Sequence, residues 1–240
     1  MSKMSQIDTE KYQQFAKEKL GFEFNDISLL VTALTHRSYI NEHKTAGLEH
    51  NERLEFLGDA VLELVTSDFL FRNYHEPEGV MTAWRAALVR TESIGAAGVE
   101  LGYQPLVLLS KGAKLSSSAR STESILADCF EAVIGATYLD QGYDAAKKLI
   151  EEHILSKIDH VIKTGVWRDP KSRFQEIAQH QFNQTPTYRL ITEDGPDHDK
   201  TFTVGAYIGS DLISTGTGHS KQEAQTKAAS AAIEDLSKRQ

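Results

Sequence analysis

Twelve consecutive residues, Asn51-Glu52-Arg53-Leu54-Glu55-Phe56-Leu57-Gly58-Asp59-Ala60-Val61-Leu62, limit what this chain can become. A helix advances about 100° per residue, so Glu52, Glu55 and Asp59 fall within an arc of roughly 60°. Around them stand Leu54, Phe56, Leu57, Val61, Leu62, Leu64 and Val65, the composition of a core rather than of a surface. Carboxylates in apolar company need a counter-charge, because an unpaired buried anion is costly or takes up a proton. Arg53 points off the acidic arc. A divalent cation meets the need, and oxygen-only ligands suit magnesium or manganese.

A second acidic helix completes the requirement. From Ser124 to Leu139 the only charged residues are Asp128 and Glu131, spaced i,i+3 in a segment that is apolar nearly all round. Pairing the two helices would gather Glu55, Asp59, Asp128 and Glu131 around one cavity. Four converging carboxylates cannot all stay ionised without cations between them. Such clusters hold Mg²⁺ for phosphoryl chemistry, often as a two-metal site. The plainer alternative is that each helix shows its acids to solvent or to a neighbouring Arg, as isolated i,i+3 and i,i+4 pairs do.

The rest of the sequence places this pair of helices in an all-α part. From Asp8 to about Ile162 the pattern is helical, with an Asn25-Asp26 start signal, an acidic helix from about Glu49 to Arg72, a further run from Val80 to Val99 and another from Ala145 to about Val161. Gly165 and Pro170 punctuate a change of composition. We expect domains at 1–162 and 170–240 with a linker at 163–169. The second reads α-β-β-β-α. Asp169 and Pro170 open a helix over 171–182 with Phe174, Ile177 and Ala178 inward. Strands follow at Thr187–Ile191, Phe202–Ile208 and Asp211–Thr215. A last helix spans Ser220–Leu236, with Ala224, Ala228, Ala231, Ala232 and Leu236 as its packing face and a Ser220/Glu223 capping box.

Composition excludes several classes. No run of 18 apolar residues exists, which argues against a membrane span, and the N-terminus lacks the apolar region of a secretory signal. The single Cys129 cannot form an intrachain disulfide or a thiolate zinc site and fits a reducing cytoplasm. The net charge of −8 runs against the basic balance of most nucleic-acid binders. Residues 1–167 carry 17 Lys/Arg against 24 Asp/Glu, and residues 168–240 carry nine against ten, so the acidity travels with the acidic helices. The nine histidines show no HExxH-like spacing, and Gly216-x-Gly218 has neither the dinucleotide nor the P-loop pattern.

Glu52-Arg53-Leu54-Glu55-Phe56-Leu57-Gly58-Asp59-Ala60-Val61-Leu62 resembles the signature motif of the ribonuclease III family. Ala33-Leu34-Thr35-His36-Arg37-Ser38-Tyr39 resembles the segment before it. Glu78-Gly79 with Arg85-Ala86-Ala87-Leu88-Val89, and Glu123 to Asp128 with Glu131 to Ala136, resemble the segments that follow. The C-terminal order, with Pro196 and His198 in its first hairpin and Gly216-Thr217-Gly218-His219-Ser220-Lys221 before the last helix, is similar to a double-stranded RNA-binding domain. A Gly-rich turn feeding a helix N-terminus would offer N–H groups to phosphate, with Lys221 beside them.

The resemblance implies an all-α endonuclease domain followed by a small α+β double-stranded RNA-binding domain. It implies Mg²⁺-dependent hydrolysis, with Mn²⁺ able to substitute, of double-stranded RNA to 5′-phosphate and 3′-hydroxyl ends with short 3′ overhangs. Glu55, Asp59, Asp128 and Glu131 would hold the metal, Asp59 and Glu131 would be catalytic, and Glu52 and Glu78 would be supporting acids. Gln175, Glu176, Gln179, His198, Ser220 and Lys221 would contact RNA, reading two minor grooves and the phosphates between them. Phe56 would pack across a homodimer interface. The implied partners are ribosomal RNA precursors, structured messenger RNAs and small RNAs. Gln222 and Gln225 stand where such domains often carry Lys or Arg, which predicts a weaker, more salt-sensitive grip. Loss of one of the four acids would favour an RNA-binding regulator that no longer cuts or a ribosome-associated structural relative; none is missing, which argues against both.

Overall fold

A computed structural model describes residues 7–43, 48–112, 119–196 and 200–238. The chain divides into two compact units, Met1–Thr164 and Gly165–Gln240. In the described residues of the first unit every element is helical: α1 (Thr9–Phe15), a π-helical turn (Ala16–Leu20), α2 (Ile27–Ala33), α3 (Arg37–Glu42), α4 (Glu52–Asn73), α5 (Glu78–Leu88), α6 (Thr91–Leu101), α7 (Ala119–Gln141), α8 (Tyr143–His153) and α9 (Ile158–Thr164), with single 3₁₀ turns at Gln104–Leu106 and Leu155–Lys157. One isolated bridge joins Thr35 to Leu108. Among the described residues no helix is long and apolar enough to cross a membrane.

The core is built on α4 and α7. Leu62, Val65 and Leu70 of α4 and Phe130, Val133 and Ile134 of α7 are buried, and Leu30, Leu34, Leu88, Ile94, Leu101 and Ile150 of surrounding segments close over them. Asp26 starts α2 by accepting from the Ser28 N–H at 3.0 Å, so the expected start signal acts as an N-cap. Two expected long helices are broken. The run from Val80 to Val99 splits at Val89 and Arg90, where Arg90 takes an extended backbone so that Leu88 and Ile94 can both face inward. The run from Ala145 to Val161 splits at Ile154, whose buried side chain turns the chain into a 3₁₀ step.

The second unit is α10 (Pro170–Phe182), β1 (Thr187–Asp194), β2 (Thr201–Ile208), β3 (Asp211–Gly218) and α11 (Lys221–Lys238), with an antiparallel sheet in the order β1-β2-β3. Asp169 caps α10 through Ser172 N–H at 2.9 Å, with Pro170 in its first turn. Phe174 and Ala178 of α10, Ala206 and Ile208 of β2, and Ala228, Ala229, Ala232, Ile233 and Leu236 of α11 form its core. Ala231 lies at the edge of that face, and Ala229 and Ile233 take the inward positions instead.

β3 runs further than the sequence suggests. Gly216, Thr217 and Gly218 are strand residues paired with Val204, Thr203 and Phe202, not a turn. The glycines are there for proximity. A side chain at Gly216 would overlap Ala228 N and Ala224 O of α11. The helix therefore lies directly on the strand backbone.

Candidate active site

Gly58 and Gly135 bring α4 and α7 together with no side chain between them. A Cβ at Gly58 would overlap the Glu131 carbonyl and stand 2.9 Å from Gly135 N. A Cβ at Gly135 would overlap the Leu54 carbonyl and stand 3.2 Å from Gly58 N. The backbones that touch are those carrying or adjoining Glu55, Asp59 and Glu131, so the two acidic rows meet at the crossing.

The electrostatics are consistent with that proximity. Burial first, then the charges of Asp59, Glu55 and Asp128, pushes the Glu131 carboxyl up to about 8. Burial first, then Asp128, Glu52 and Asp59, pushes Glu55 up to about 7. Burial also raises Asp128, with the His36 imidazole opposing it. Among the described residues none of Glu55, Asp59, Asp128 and Glu131 has a Lys, Arg or His partner within 4.0 Å, and Arg53 turns away to Glu49. The carboxylates thus press on one another with no basic side chain between them. Oxygen donors in such a cluster suit a hard divalent cation, although among the described residues no three His, Cys, Asp or Glu groups already stand together at ligating distance.

A buried corner that the sequence reading did not single out fixes these rows. Asn51, 2% exposed and just ahead of α4, donates its N–H to Thr35 O at 2.9 Å, and its Nδ2 lies 3.7 Å from Cys129 Sγ on α7. Thr35 Oγ1 in turn donates to Val31 O at 2.6 Å. The neighbours of these three residues are His36, Glu52 and Asp128. His36 starts α3, its Nδ1 accepting from Ser38 N–H at 3.1 Å. Its imidazole is held below its usual range by burial, with Asp128 and Glu52 opposing the shift. The sequence reading places Asn51 inside a helix from about Glu49, whereas α4 begins at Glu52 and Asn51 stands just ahead of it.

The two supporting acids part company. Glu52 adjoins the cluster and pairs with Arg37 at 3.4 Å and His50 at 3.7 Å. Glu78 opens α5, accepts from Thr82 Oγ1 at 2.9 Å, and lines a cleft with Ser67, Leu70 and Phe71. Those α4 residues lie about 12–18 Å beyond Asp59 along the helix at 1.5 Å per residue. Within one chain Glu78 is not brought to the quartet.

Two surfaces complete the picture. Phe56 is 80% exposed and Phe71 74% on α4; Phe56 lies near a cavity of about 530 Å³ lined in part by Leu29, Leu48, Arg53, Leu54, Leu57 and Leu139, and Phe71 lines the separate cleft with Glu78. On the second unit Gln175, Glu176 and Gln179 are exposed along one side of α10; Glu176 pairs with Arg168 at 3.2 Å and Gln179 donates to Asn183 at 2.9 Å. Ser220 Oγ accepts from Glu223 N–H at 3.1 Å, and Glu223 accepts from the His219 N–H at 2.8 Å, so the expected capping box closes one residue earlier on its return side. Lys221 lies beside it, its Nζ 5.7 Å from the Phe202 ring centre. His198 lies outside the described residues.

Comparison with known proteins agrees with this division. Residues 26–158 match the ribonuclease-III-like family model, and residues 170–236 match the double-stranded RNA binding motif. The chain is 45% identical over 224 residues to ribonuclease 3 of Enterococcus faecalis, covering 92% of this chain and 95% of that one. It is 41% identical over 231 residues to ribonuclease 3 of Clostridium acetobutylicum, covering 96% and 99%. A solved nuclease domain of ribonuclease III from Campylobacter jejuni superposes with a TM-score of 0.52 at 37% identity, covering 59% of this chain and 98% of that domain. With both family models matched in order and relatives of this identity spanning nearly its whole length, the chain belongs to the ribonuclease III family of double-stranded RNA endoribonucleases.

Proposed function

We propose that this chain hydrolyses phosphodiesters of double-stranded RNA in a Mg²⁺-dependent reaction, leaving 5′-phosphate and 3′-hydroxyl ends with short 3′ overhangs. Its substrates would be ribosomal RNA precursors, structured messenger RNAs and small RNAs, in the cytoplasm. Residues 1–162 would cut and residues 170–240 would bind duplex, with 163–169 connecting them. The observation that carries the reading is the cluster at the α4–α7 crossing, where burial and mutual repulsion raise the proton affinity of Glu55, Asp128 and Glu131.

Glu55, Asp59, Asp128 and Glu131 would hold the metal, with Mn²⁺ able to replace Mg²⁺. When bound, the metal supplies a water activated for attack and stabilises charge on the leaving 3′ oxygen. The chain's own part is to keep the acids in register. Gly58 and Gly135 fix the helix spacing, and Asn51 ties the start of α4 to α7 through Cys129. Glu131 and Glu55 take up or release a proton near neutral pH, so their carboxylates become available as ligands and bases when a cation offsets their neighbours. Glu52, held by Arg37 and His50, adds negative potential at the edge of the site.

Phe56, Phe71 and Leu64 form the apolar side of α4 on which two copies would pair. The Campylobacter jejuni domain is itself described in terms of dimer formation. An isologous pairing needs a self-complementary patch; the protruding Phe56 and the nearby cavity, where leucines share the wall with Ser28, Thr32, Glu49, His50 and Arg53, would supply the two halves.

Cleavage of a long labelled RNA duplex in Mg²⁺ tests the reading, with Glu131→Ala beside the parent and binding in Ca²⁺ measured in parallel. Short duplex products from the parent, and binding without cleavage by the variant, are expected. A parent that binds duplex and never cuts it in Mg²⁺ or Mn²⁺ would remove the catalytic assignment.

A further inference from the structure

We infer that Lys171 is a phosphate-binding residue of the duplex-RNA surface, supplying from the first turn of α10 the cation that α11 lacks at Gln225. The inference rests on the RNA-binding reading of the second unit and assigns it a contact outside the segment around Ser220 and Lys221. Lys171 Nζ donates to Gln225 Oε1 at 2.8 Å and lies 5.1 Å from the centre of the Tyr188 ring. Lys171 and Gln225 are both half-buried. Among the described residues no carboxylate lies within 4.0 Å of Lys171. The acid two positions before it, Asp169, is engaged with the N–H and Oγ of Ser172.

The other lysines of this surface sort clearly. Lys227, the one candidate on α11 itself to make up for Gln222 and Gln225, is neutralised by Glu223 at 2.7 Å. Lys221 has no carboxylate within 4.0 Å among the described residues and rests over Phe202. Gln225 lies one turn after Lys221, about 6 Å along α11. The Lys171 ammonium is therefore held at the position a basic residue at 225 would occupy, one turn from Lys221.

An ammonium has three donors, and the Gln225 amide uses one. A neutral amide and a ring face orient the charge without cancelling it. Lys171 also sits in the first turn of α10, where the helix dipole disfavours a cation. A positive charge kept without a direct carboxylate partner in that setting is open to an external anion, and on this surface the anion is an RNA phosphodiester. The Lys171–Gln225 bond also reduces the entropy lost when the side chain is ordered on binding.

The test is the salt dependence of duplex binding by the full chain, in Ca²⁺, from about 50 to 300 mM KCl, since each phosphate contact contributes roughly 0.9 to the slope of log K against log salt. Lys171→Gln can keep a neutral bond to Gln225, so its thermal unfolding should match the parent. Its slope should fall in magnitude by about one and its affinity by roughly three- to tenfold. Moving the charge back in the double variant Lys171→Gln, Gln225→Lys should restore the parent slope. A parent-like slope in Lys171→Gln overturns the inference, whether or not affinity falls, because a helix-to-helix tie alone would weaken binding without changing the number of phosphates neutralised. A parent that fails to prefer duplex over single-stranded RNA removes the RNA-binding reading and this inference together.

Discussion

Gly58 of α4 lies against the backbone carbonyl of Glu131 on α7, leaving no room for a Cβ. An acid proposed to hold the metal is thus positioned by its own backbone resting on a glycine of the opposing helix. Gly58→Ala should gain about 0.5–1 kcal/mol of helix propensity. It should lose more, because the added carbon meets backbone that cannot rotate aside; overpacking typically costs about 1–3 kcal/mol. A net loss of stability in urea unfolding is expected, together with a higher Mg²⁺ requirement for cleavage as the acidic rows move apart. A stabilised variant of normal Mg²⁺ requirement would show that the crossing is looser than described.

The raised carboxyls predict a pH dependence of the metal-free protein. Glu131 and Glu55 bind protons more tightly folded than unfolded, so the stability associated with them is fully present below their unfolded values near 4.5. It is lost as pH rises through about 7 for Glu55 and about 8 for Glu131. Urea midpoints in EDTA should therefore fall between about pH 5 and 9. Glu131→Gln, which keeps the shape and removes the charge, should flatten the upper part of that fall while abolishing cleavage. A midpoint independent of pH in this window would mean that the carboxyls are more solvated than their burial indicates.

The same linkage makes metal binding a proton-releasing event. At pH 7 Glu131 is largely protonated and Glu55 about half so. Binding should release on the order of one proton per site, more near pH 6.5 than near pH 9. Calorimetry of Mn²⁺ binding in two buffers of different ionisation enthalpy measures this. Identical heats in the two buffers at pH 7 would exclude Glu55 and Glu131 from the set of groups that ionise on binding.

The acidic rows were legible from residue spacing, because charge in an apolar helix is a strong local signal. What holds them in place was not. Gly58 and Gly135 look like ordinary helix glycines until the second helix is present, since the reason for each lies about 80 residues away in sequence. Asn51 read as an ordinary residue of a helix from about Glu49, whereas it precedes α4 and its contacts are long-range, to Thr35 and Cys129. Gly216 and Gly218 read as turn residues because glycine usually marks turns, and here they serve a strand pressed onto α11. Glu78 shares a motif neighbourhood with the acids and not their location. Local pattern picked out the acids, and tertiary contact decided how they are held.

Phe56 offers the sharpest test of assembly. It is the most exposed large apolar side chain among the described residues, on a helix whose opposite side is buried in the core. Exposing an aromatic ring on a rigid helix is unfavourable for a lone protomer, and the proposed pairing would relieve it by burial against a second copy. In an isologous interface each substitution acts twice, and buried aromatic anchors commonly contribute about 2 kcal/mol or more apiece. Phe56→Ala should therefore weaken dimerisation on the order of a hundredfold or more, while leaving unfolding of the protomer nearly unchanged. Sedimentation velocity over a concentration series measures it. A dimer of unchanged affinity would place the interface elsewhere and leave the exposed side of α4 without its proposed role.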